Sequence, residues 1–170
     1  CQRLAKNAFG DPQLTARHAL TSANSINIGR LLPQVAYWVH AATLLDADDP
    51  PPLWCVPSGN FGNLTAGLLA WRAGLPAAGF VAATNVNDVV PEYLETGVVR
   101  PRPAVVTISN AMDVGAPSNY ERIHALWPDD PPVPLGAERV DDDATLARMA
   151  RTHERYGVVV CPHTAVGLEA

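Results

Sequence analysis

Lysine is nearly absent from the sequence: of its 12 basic residues, 11 are arginines and only Lys6 is a lysine. Aspartate and glutamate, 17 in all, outnumber the basic residues and give a formal net charge of −5 at pH 7. Binding to nucleic acid without regard to its sequence needs lysine and arginine side chains that neutralise phosphates on one face. The charge balance therefore predicts that nucleic acid is not a partner.

Cysteines and long apolar runs are also few. Cys1, Cys55 and Cys161 are odd in number and far apart, a pattern that does not fit a disulfide framework and suits a reducing cytoplasm. No stretch approaches the roughly 18 uninterrupted apolar residues of a membrane helix, and the histidines lack metal-ligand spacing. Because 48% of the 170 residues are hydrophobic, we expect a globular, cytoplasmic chain with a buried core and with no membrane or metal partner.

Both ends of the sequence have the pattern of interrupted structure. Residues 2–9 read as a helix already in progress that Gly10 ends, and a new helix begins near Val166. We therefore expect a fragment that lacks both termini of a longer polypeptide. Residues 1–170 are predicted to form a single partial α/β domain, in which residues 1–20 are the end of a preceding segment.

Short apolar runs alternate with helical patterns along the chain. The predicted strands are 53–56, 78–83, 105–108 and 157–161, and the predicted helices include 26–45, 64–73, 88–94, 118–127 and 141–156. The first of these helices should be capped by Asn24 and Ser25, bent at Pro33 and buried over a broad face. The alternation predicts an α/β fold, with a mainly parallel twisted sheet and helices on both faces. In such folds ligands bind beyond the carboxyl ends of the strands.

The loop Pro57-Ser58-Gly59-Asn60-Phe61-Gly62-Asn63 lies between a predicted strand and a predicted helix. Gly59 and Gly62 permit backbone conformations closed to other residues and close approach of an anion, while Asn60 and Asn63 add amide donors. Free N–H groups at a helix start, together with the helix dipole, bind anions without lysine or arginine. The alternative is a glycine-rich turn without a ligand, which a short glycine pattern taken alone favours.

Several segments together resemble one family, threonine synthase, a group of pyridoxal phosphate (PLP) enzymes of fold type II. The resemblance lies in VPSGNFGNLTAGLLA (56–70), GFVAATNVNDVVPEYLETG (79–97), LTSANSINIGRLLPQVAYW (20–38), ISNAMDVGAPSNYER (108–122) and CPHTAVG (161–167). It implies part of the large domain of such an enzyme, with PLP as cofactor. It also implies a lyase reaction in which O-phosphohomoserine and water give L-threonine and phosphate.

The resemblance also implies roles for particular residues. It places the PLP phosphate against the loop residues Gly59, Asn60, Phe61, Gly62 and Asn63. It makes Asn24, Ser25 and Arg30 contacts of the substrate phosphate. From the residues alone, Asn24 and Ser25 are equally well explained as a helix cap, and Arg30 as a surface side chain.

Other polar residues near predicted strand ends have less definite roles. Asn85, Asn87 and Asp88 follow a strand, where turn and capping roles are favoured over ligand contact, with Asp88 as an N-cap. Asn110, Asp113, Ser118 and Asn119 belong to a segment that resembles the family, but the sequence assigns them no chemistry. His163 is as compatible with a structural role as with a place near the pyridine ring, and Cys161 stands where the family often has an acidic residue.

The chemistry implied by the resemblance needs a lysine that forms a Schiff base. Lys6 lies in a helical pattern that suits a solvated charge, so we expect the reactive lysine outside the chain and the chain alone to be inactive. Two alternatives stay open. One is a non-catalytic protein that resembles threonine synthase and binds phosphate or PLP, and the other is a different fold-type II lyase similar to serine or threonine dehydratases.

Overall fold

The computed structural model of the chain describes residues 2–23, 25, 27–46, 48–127 and 133–170. Its helices are α1 (Gln2–Phe9), α2 (Pro12–Arg17), α3 (Ile28–Leu31), α4 (Val35–Ala42), α5 (Gly62–Arg72), α6 (Val89–Thr96), α7 (Ser118–Leu126), α8 (Asp142–Tyr156) and α9 (Pro162–Glu169). Its strands are β1 (Leu53–Pro57), β2 (Gly79–Thr84) and β3 (Leu135–Arg139), and 3₁₀ turns cover Leu32–Gln34 and Asn110–Met112. Within these residues no helix is both long enough and apolar enough to cross a membrane.

The three strands form one parallel sheet in the order β1-β2-β3. Leu53 of β1 lies opposite Gly79 of β2, and Phe80 of β2 lies opposite Leu135 of β3. Parallel strands cannot be joined by a tight turn, and α5 supplies the crossover between β1 and β2 while α6 and α7 lie between β2 and β3. This arrangement confirms the predicted α/β fold with a parallel sheet.

Successive side chains of β2 pack on opposite faces of the sheet. Phe80 is fully buried in a core that includes Leu64 of α5 and Ile123 of α7. Ala83 belongs to a smaller cluster on the other face, which includes Val166 of α9. Helices therefore cover both faces of the sheet, as the sequence predicts.

The helix predicted for residues 26–45 is divided into α3, a 3₁₀ turn and α4. Pro33 lies in the 3₁₀ turn, which confirms the predicted irregularity, because proline removes one N–H donor from a helix and its ring crowds the preceding turn. The prediction of a broad buried face is wrong, because Leu31 is fully buried but Leu32 and Val39 are 51% and 53% exposed. A helix split by a turn does not keep its apolar side chains in one row.

The cap of this helix is also displaced from its predicted place. Asn24 lies outside the described residues, and Ser25 does not cap α3. The N-cap is Asn27, whose Oδ1 accepts a hydrogen bond from the N–H of Gly29 at 2.9 Å. An asparagine at this position satisfies a backbone donor that the first helical turn leaves free.

The strand predicted for residues 105–108 is wrong. The N–H of Val105 donates to Oδ1 of Asn87 at 2.7 Å, and the Val105 carbonyl accepts from Nδ2 of the same asparagine at 3.0 Å. The N–H of Thr107 donates to the Asp113 carboxylate at 3.0 Å. Side chains therefore take the backbone groups that a neighbouring strand would have paired.

The strand predicted for residues 157–161 is wrong as well, and β3 is a strand that the sequence patterns do not predict. Val158 and Val159 are 52% and 81% exposed, and within the described residues no strand pairs with them. An apolar run forms a strand only where a neighbour can accept its hydrogen bonds. By contrast β3, with the sequence Leu-Gly-Ala-Glu-Arg, lacks a continuous apolar run, and within the described residues it lies at an edge of the sheet.

Candidate functional site

The loop after β1 leaves the sheet at the carboxyl end of the strand and leads directly into α5. The N–H of Ser58 still donates to the carbonyl of Ala83 at 2.9 Å, which extends the pairing of β1 with β2 by one residue. The next three residues, 59–61, turn the chain, and α5 begins at Gly62. The loop thus lies where parallel α/β sheets bind their ligands.

The conformation of this loop depends on Phe61, with φ +60° and ψ 19° in the left-handed region. The sequence predicts that Gly59 and Gly62 take conformations closed to other residues; this is wrong, because neither glycine has a positive φ. A left-handed phenylalanine is strained and needs support from its surroundings. Its ring is 2% exposed and packs edge-to-face on Tyr120 at 5.9 Å between ring centres, so its side chain belongs to the core.

Asn63 stabilises the loop through hydrogen bonds to neighbouring loop residues. Its Nδ2 donates to the Pro57 carbonyl at 2.8 Å, and its Oδ1 accepts from Ser58 Oγ at 2.5 Å and from the N–H of Leu64 at 3.0 Å. The backbone carbonyl of Asn63 also accepts from the Trp38 indole N–H at 3.1 Å. Both ends of the amide side chain are therefore bound within the protein, while the N-cap of α5 is Phe61 and no side chain among the described residues caps this helix.

Asn60 ties the loop to two other segments of the chain. Its Nδ2 donates to Ser25 Oγ at 2.7 Å. Its Oδ1 accepts from the N–H of Ser118 at 2.8 Å and from Ser118 Oγ at 3.1 Å. The side-chain donors of Asn60 and Asn63, which the sequence offers as anion ligands, are thus already used to shape the loop.

The donors that the loop keeps are its backbone N–H groups. Among the described residues, no protein acceptor binds the N–H of Gly59, Asn60, Phe61, Gly62 or Asn63. These groups occupy a loop and the first turn of a helix of 11 residues, where the helix dipole adds a partial positive charge. Such an array binds an anion without a cationic side chain.

Only one of the two loop glycines is required by close packing. A Cβ on Gly59 would lie 2.6 Å from Cα, 2.8 Å from O and 2.9 Å from C of Met112. A Cβ on Gly62 would make ordinary contacts, at 3.4 Å from Asn119 Nδ2 and 3.7 Å from Ser25 Cβ. The loop therefore needs glycine at position 59, because it packs directly against the backbone of the Asn110–Met112 turn.

One buried donor beside the loop has no partner. Asn119 of α7 is 1% exposed, and among the described side chains its Nδ2 is the buried polar atom without a hydrogen bond. Its Oδ1 accepts from Arg122 Nη1 at 2.7 Å, and the same guanidinium nitrogen donates to the Ser25 carbonyl at 3.4 Å. Sequence reasoning leaves both Asn119 and Arg122 without a role in the site; only the three-dimensional packing brings them to the loop.

Comparison with known proteins finds threonine synthases among the relatives of the chain. No family model matches the chain. The chain is 46% identical to the threonine synthase of Escherichia coli strain K12 over 176 aligned residues, which cover 100% of this chain and 40% of that protein. The crystal structure of the Escherichia coli enzyme has a TM-score of 0.89 at 45% identity and covers 99% of this chain. The chain is a homologue of threonine synthases.

A further threonine synthase structure, from Brucella melitensis with PLP bound, is 31% identical with a TM-score of 0.83. It covers 99% of this chain, and the chain covers 42% of it. The chain thus spans about two fifths of the length of the threonine synthases that it matches. These coverages agree with the expectation that the sequence corresponds to part of a longer protein. The identities confirm the predicted resemblance to threonine synthases, and the TM-scores confirm the predicted fold class.

The residues that the threonine synthase resemblance assigns to the substrate phosphate are only partly brought to the loop. Ser25 contacts it through Asn60. Arg30 is exposed, and its Nη1 donates to the Ala23 carbonyl at 2.5 Å. Its guanidinium group therefore binds the backbone seven residues before it in the chain and not the loop. Asn24 lies outside the described residues, and the arginine that reaches Ser25 is Arg122.

The residues after β2 have structural roles in the described part of this threonine synthase homologue. Asn85 is 1% exposed. Its Nδ2 donates hydrogen bonds to the side-chain oxygens of Thr107 at 2.9 Å, Ser109 at 3.0 Å and Asp113 at 2.9 Å. Its Oδ1 accepts from the N–H and the Nδ2 of Asn87. The expectation that turn chemistry outweighs ligand contact here agrees with this network.

Asp88 is the N-cap residue of α6, as predicted, but its side chain makes no capping hydrogen bond. Its carboxylate pairs instead with Arg102 and, at 3.4 Å, with Arg139. The Arg102 guanidinium also donates to Glu92, and together with Arg100 it holds the pKa of Glu92 below its ordinary value. A carboxylate within reach of two guanidinium groups gains more from an ion pair than from a neutral N–H.

His163 and Cys161 lie close to the Asn110–Met112 turn, at the start of α9. His163 Nε2 accepts from the N–H of Ala111 at 3.2 Å. Cys161 is the N-cap of α9, and its Sγ lies 3.4 Å from Thr164 Oγ1. Hydrogen bonds from Thr164, and then the one from His163, lower the pKa of the Cys161 thiol to about 7. The Cys161 thiol is therefore partly ionised at neutral pH.

The opposite pKa shifts of Cys161 and Cys55 predict selective alkylation of Cys161. At pH 7 iodoacetamide should modify Cys161 at least about tenfold faster than Cys55, because the thiolate is the nucleophile. The pKa of the Cys55 thiol is raised, first by partial burial and second by the negative charge of Glu138. Peptide mass spectrometry of the cofactor-free protein measures both rates. The Cys161 rate should fall as pH falls through about 7, and Thr164→Val should slow it. Equal rates for the two cysteines would contradict this assignment.

Proposed function

We propose that the full-length protein that contains this chain is a PLP-dependent threonine synthase, a lyase that converts O-phospho-L-homoserine and water into L-threonine and phosphate. The observation that carries the proposal is the row of backbone N–H groups at residues 59–63, at the carboxyl end of β1, for which the described residues offer no acceptor. The similarity to threonine synthases along the whole chain supports it. In this proposal residues 1–170 are one partial domain of the enzyme and contribute the binding site of the cofactor phosphate.

The residues present fit PLP at its phosphate end. Gly59, Asn60, Phe61, Gly62 and Asn63 would hold the phosphate through their backbone N–H groups. The dipole of α5 would balance part of the charge of the dianion. When bound, PLP supplies the electron sink for the reaction. The part of the chain is to bind and orient: Asn63 and Asn60 fix the loop from within, and Gly59 lets it press against Met112.

The same contacts connect the binding site of the cofactor phosphate to the substrate-binding segment in this proposal. Asn24 and Ser25 would contact the phosphate of the substrate, and Ser25 Oγ accepts from Asn60 Nδ2 at 2.7 Å. A change in the loop is therefore transmitted to Ser25 through one hydrogen bond. Arg30 would add positive charge to that phosphate only if its side chain left the Ala23 carbonyl.

The chain by itself offers no group for Schiff-base chemistry in this proposal. Lys6 is its one lysine, and it lies in α1 and not in the loop of residues 57–63. The reactive lysine would therefore be supplied by sequence outside residues 1–170. The free thiols of Cys55 and Cys161 suit the reducing cytoplasm that we propose as the compartment.

The full-length protein is expected to release inorganic phosphate from O-phosphohomoserine with equal amounts of threonine, and only when PLP is present. Phosphate release and amino-acid analysis measure the two products, and the polypeptide of residues 1–170 alone should release none. A keto acid formed from serine or threonine, without release of phosphate from O-phosphohomoserine, would contradict the proposal and favour a dehydratase. Binding of PLP without any turnover would favour the non-catalytic alternative.

A further inference from the structure

A polar donor buried without a partner needs an explanation, because such atoms are rare in folded proteins. Nδ2 of Asn119 is such an atom, on a residue that is 1% exposed. It lies on the first turn of α7, next to Ser118, whose N–H donates to Asn60 of the loop. A buried donor without a partner gains a hydrogen bond when an acceptor binds next to it.

The orientation of the Asn119 amide follows from its neighbour. Arg122 Nη1 lies 2.7 Å from the Oδ1 atom, and a guanidinium can only donate. The opposite assignment of the amide would set an NH₂ group against the guanidinium, so the oxygen faces Arg122 and the nitrogen faces away from it. The free donor is therefore a property of the packing and not an arbitrary choice between two amide orientations.

The nitrogen points toward the start of α5. A Cβ built on Gly62 would lie 3.4 Å from Asn119 Nδ2 and 3.7 Å from Ser25 Cβ. The Asn119 donor therefore lies beside Gly62, the first residue of α5. Gly62 is also one of the loop residues whose backbone N–H has no acceptor among the described residues.

The geometry points to Asn119 as a further ligand of a phosphate monoester bound at this loop, through donation from Nδ2 to a phosphate oxygen. This inference rests on the proposed function. A phosphate monoester has three outer oxygens that are strong acceptors, and each can accept more than one hydrogen bond, so a bound phosphate can take a side-chain donor in addition to the backbone N–H groups of the loop. Arg122 acts through Asn119, since it holds the amide in the donating orientation. The phosphate could belong to PLP or to O-phosphohomoserine, which share this chemistry.

Asn119→Asp is the direct test, because aspartate keeps an acceptor for Arg122 and replaces the Nδ2 donor with a carboxylate oxygen. The affinity of the full-length protein for PLP, measured by equilibrium dialysis, should fall roughly ten- to hundredfold, as for a lost hydrogen bond to a charged group. Asn119→Leu removes the donor without adding charge and should weaken binding in the same direction. Asn7→Asp, on the exposed surface of α1, is the matched control and should bind PLP like the wild type.

The melting temperature without ligand separates a ligand role from a structural one. Asn119→Asp should melt at or above the wild-type temperature, because the variant removes an unpaired buried donor and keeps an acceptor for Arg122. The rise in melting temperature on addition of PLP should be smaller than in the wild type. A lower melting temperature without ligand, together with an unchanged rise on addition of PLP, would assign Asn119 a purely structural role and overturn the inference.

A second experiment determines whether the Asn119 amide binds the phosphate of PLP or that of O-phosphohomoserine. Binding of O-phosphohomoserine to the PLP-loaded protein, followed by the change in cofactor absorbance, should weaken in Asn119→Asp only if the donor serves the substrate. Loss of PLP affinity alone assigns the donor to the cofactor, and unchanged affinity for both compounds overturns the inference while the proposed function stands. Failure of the wild-type protein to bind PLP would overturn the proposed function.

Discussion

Gly59→Ala is expected to lower the affinity of the full-length protein for PLP by roughly a hundredfold, as for one to two lost hydrogen bonds to a charged group. The new Cβ would lie 2.6 Å from Cα and 2.8 Å from O of Met112, and backbone atoms cannot rotate away as a side chain can. The loop must therefore move, which turns its N–H groups away from the place where they converge. Fluorescence titration of the cofactor-free protein with PLP measures the loss.

Gly136→Ala is the matched control for this prediction. Gly136 lies in β3, has an ordinary strand conformation, and has no atom within 4 Å of a Cβ built on it. The same change of side chain there should leave PLP affinity within about twofold and should not reduce stability. A Gly59→Ala protein that binds PLP as tightly as Gly136→Ala would show that the loop does not hold the phosphate.

Asn85→Ala is expected to reduce the free energy of unfolding by about 3 kcal/mol, as for a buried polar network that loses its central member. Asn85 supplies donors to Thr107, Ser109 and Asp113, and its Oδ1 accepts from both the N–H and the side chain of Asn87. Its removal leaves several of these buried groups without a partner. Equilibrium unfolding in urea measures the change, with Asn110→Ala, on an exposed side chain, as the control.

The same substitution has a local consequence that global unfolding does not report. The N–H of Val105 is bound to Asn87 Oδ1, and the N–H of Thr107 to Asp113. Since Asn85 holds both of these side chains in place, hydrogen exchange over residues 105–107 should become faster in Asn85→Ala. Unchanged exchange there would mean that Asn87 and Asp113 hold the segment without Asn85.

The sequence predicts those elements whose local signals agree with their surroundings. The apolar run of β2 is buried on both faces, and Gly97 ends α6 in the left-handed conformation expected of a helix C-terminus. Asp141 caps α8 through the N–H of Ala144, as its acidic start suggests. In each case a single residue or a short pattern is sufficient.

The wrong predictions share one physical cause: a local pattern cannot say which partner a backbone group will find. Val105 and Thr107 look like strand residues, but side chains from two other segments bind their N–H groups. Phe61, with no sequence signal for a left-handed conformation, adopts one because its ring fits against Tyr120. Such outcomes depend on contacts between residues far apart in the chain.

The candidate site divides in the same way. The glycine pattern of its loop does not by itself favour a ligand, and the role of the loop is implied by the resemblance to threonine synthase. The sequence also offers the asparagine side chains as ligand donors, whereas the structure shows them bound within the protein. Asn119, 57 positions after Gly62 in the chain, gives no sign of its place beside the loop. Only its unpaired Nδ2 in the folded structure reveals it.

The central claim is that the backbone N–H groups of residues 59–63 bind the phosphate of PLP. A crystal structure of the full-length protein with PLP tests it most directly. We expect phosphate oxygens within about 3.2 Å of several backbone nitrogens of this loop, with Asn60 and Asn63 still bound to Ser118 and Pro57 as they are here. A phosphate seated elsewhere, with these N–H groups turned toward protein acceptors, would contradict the account.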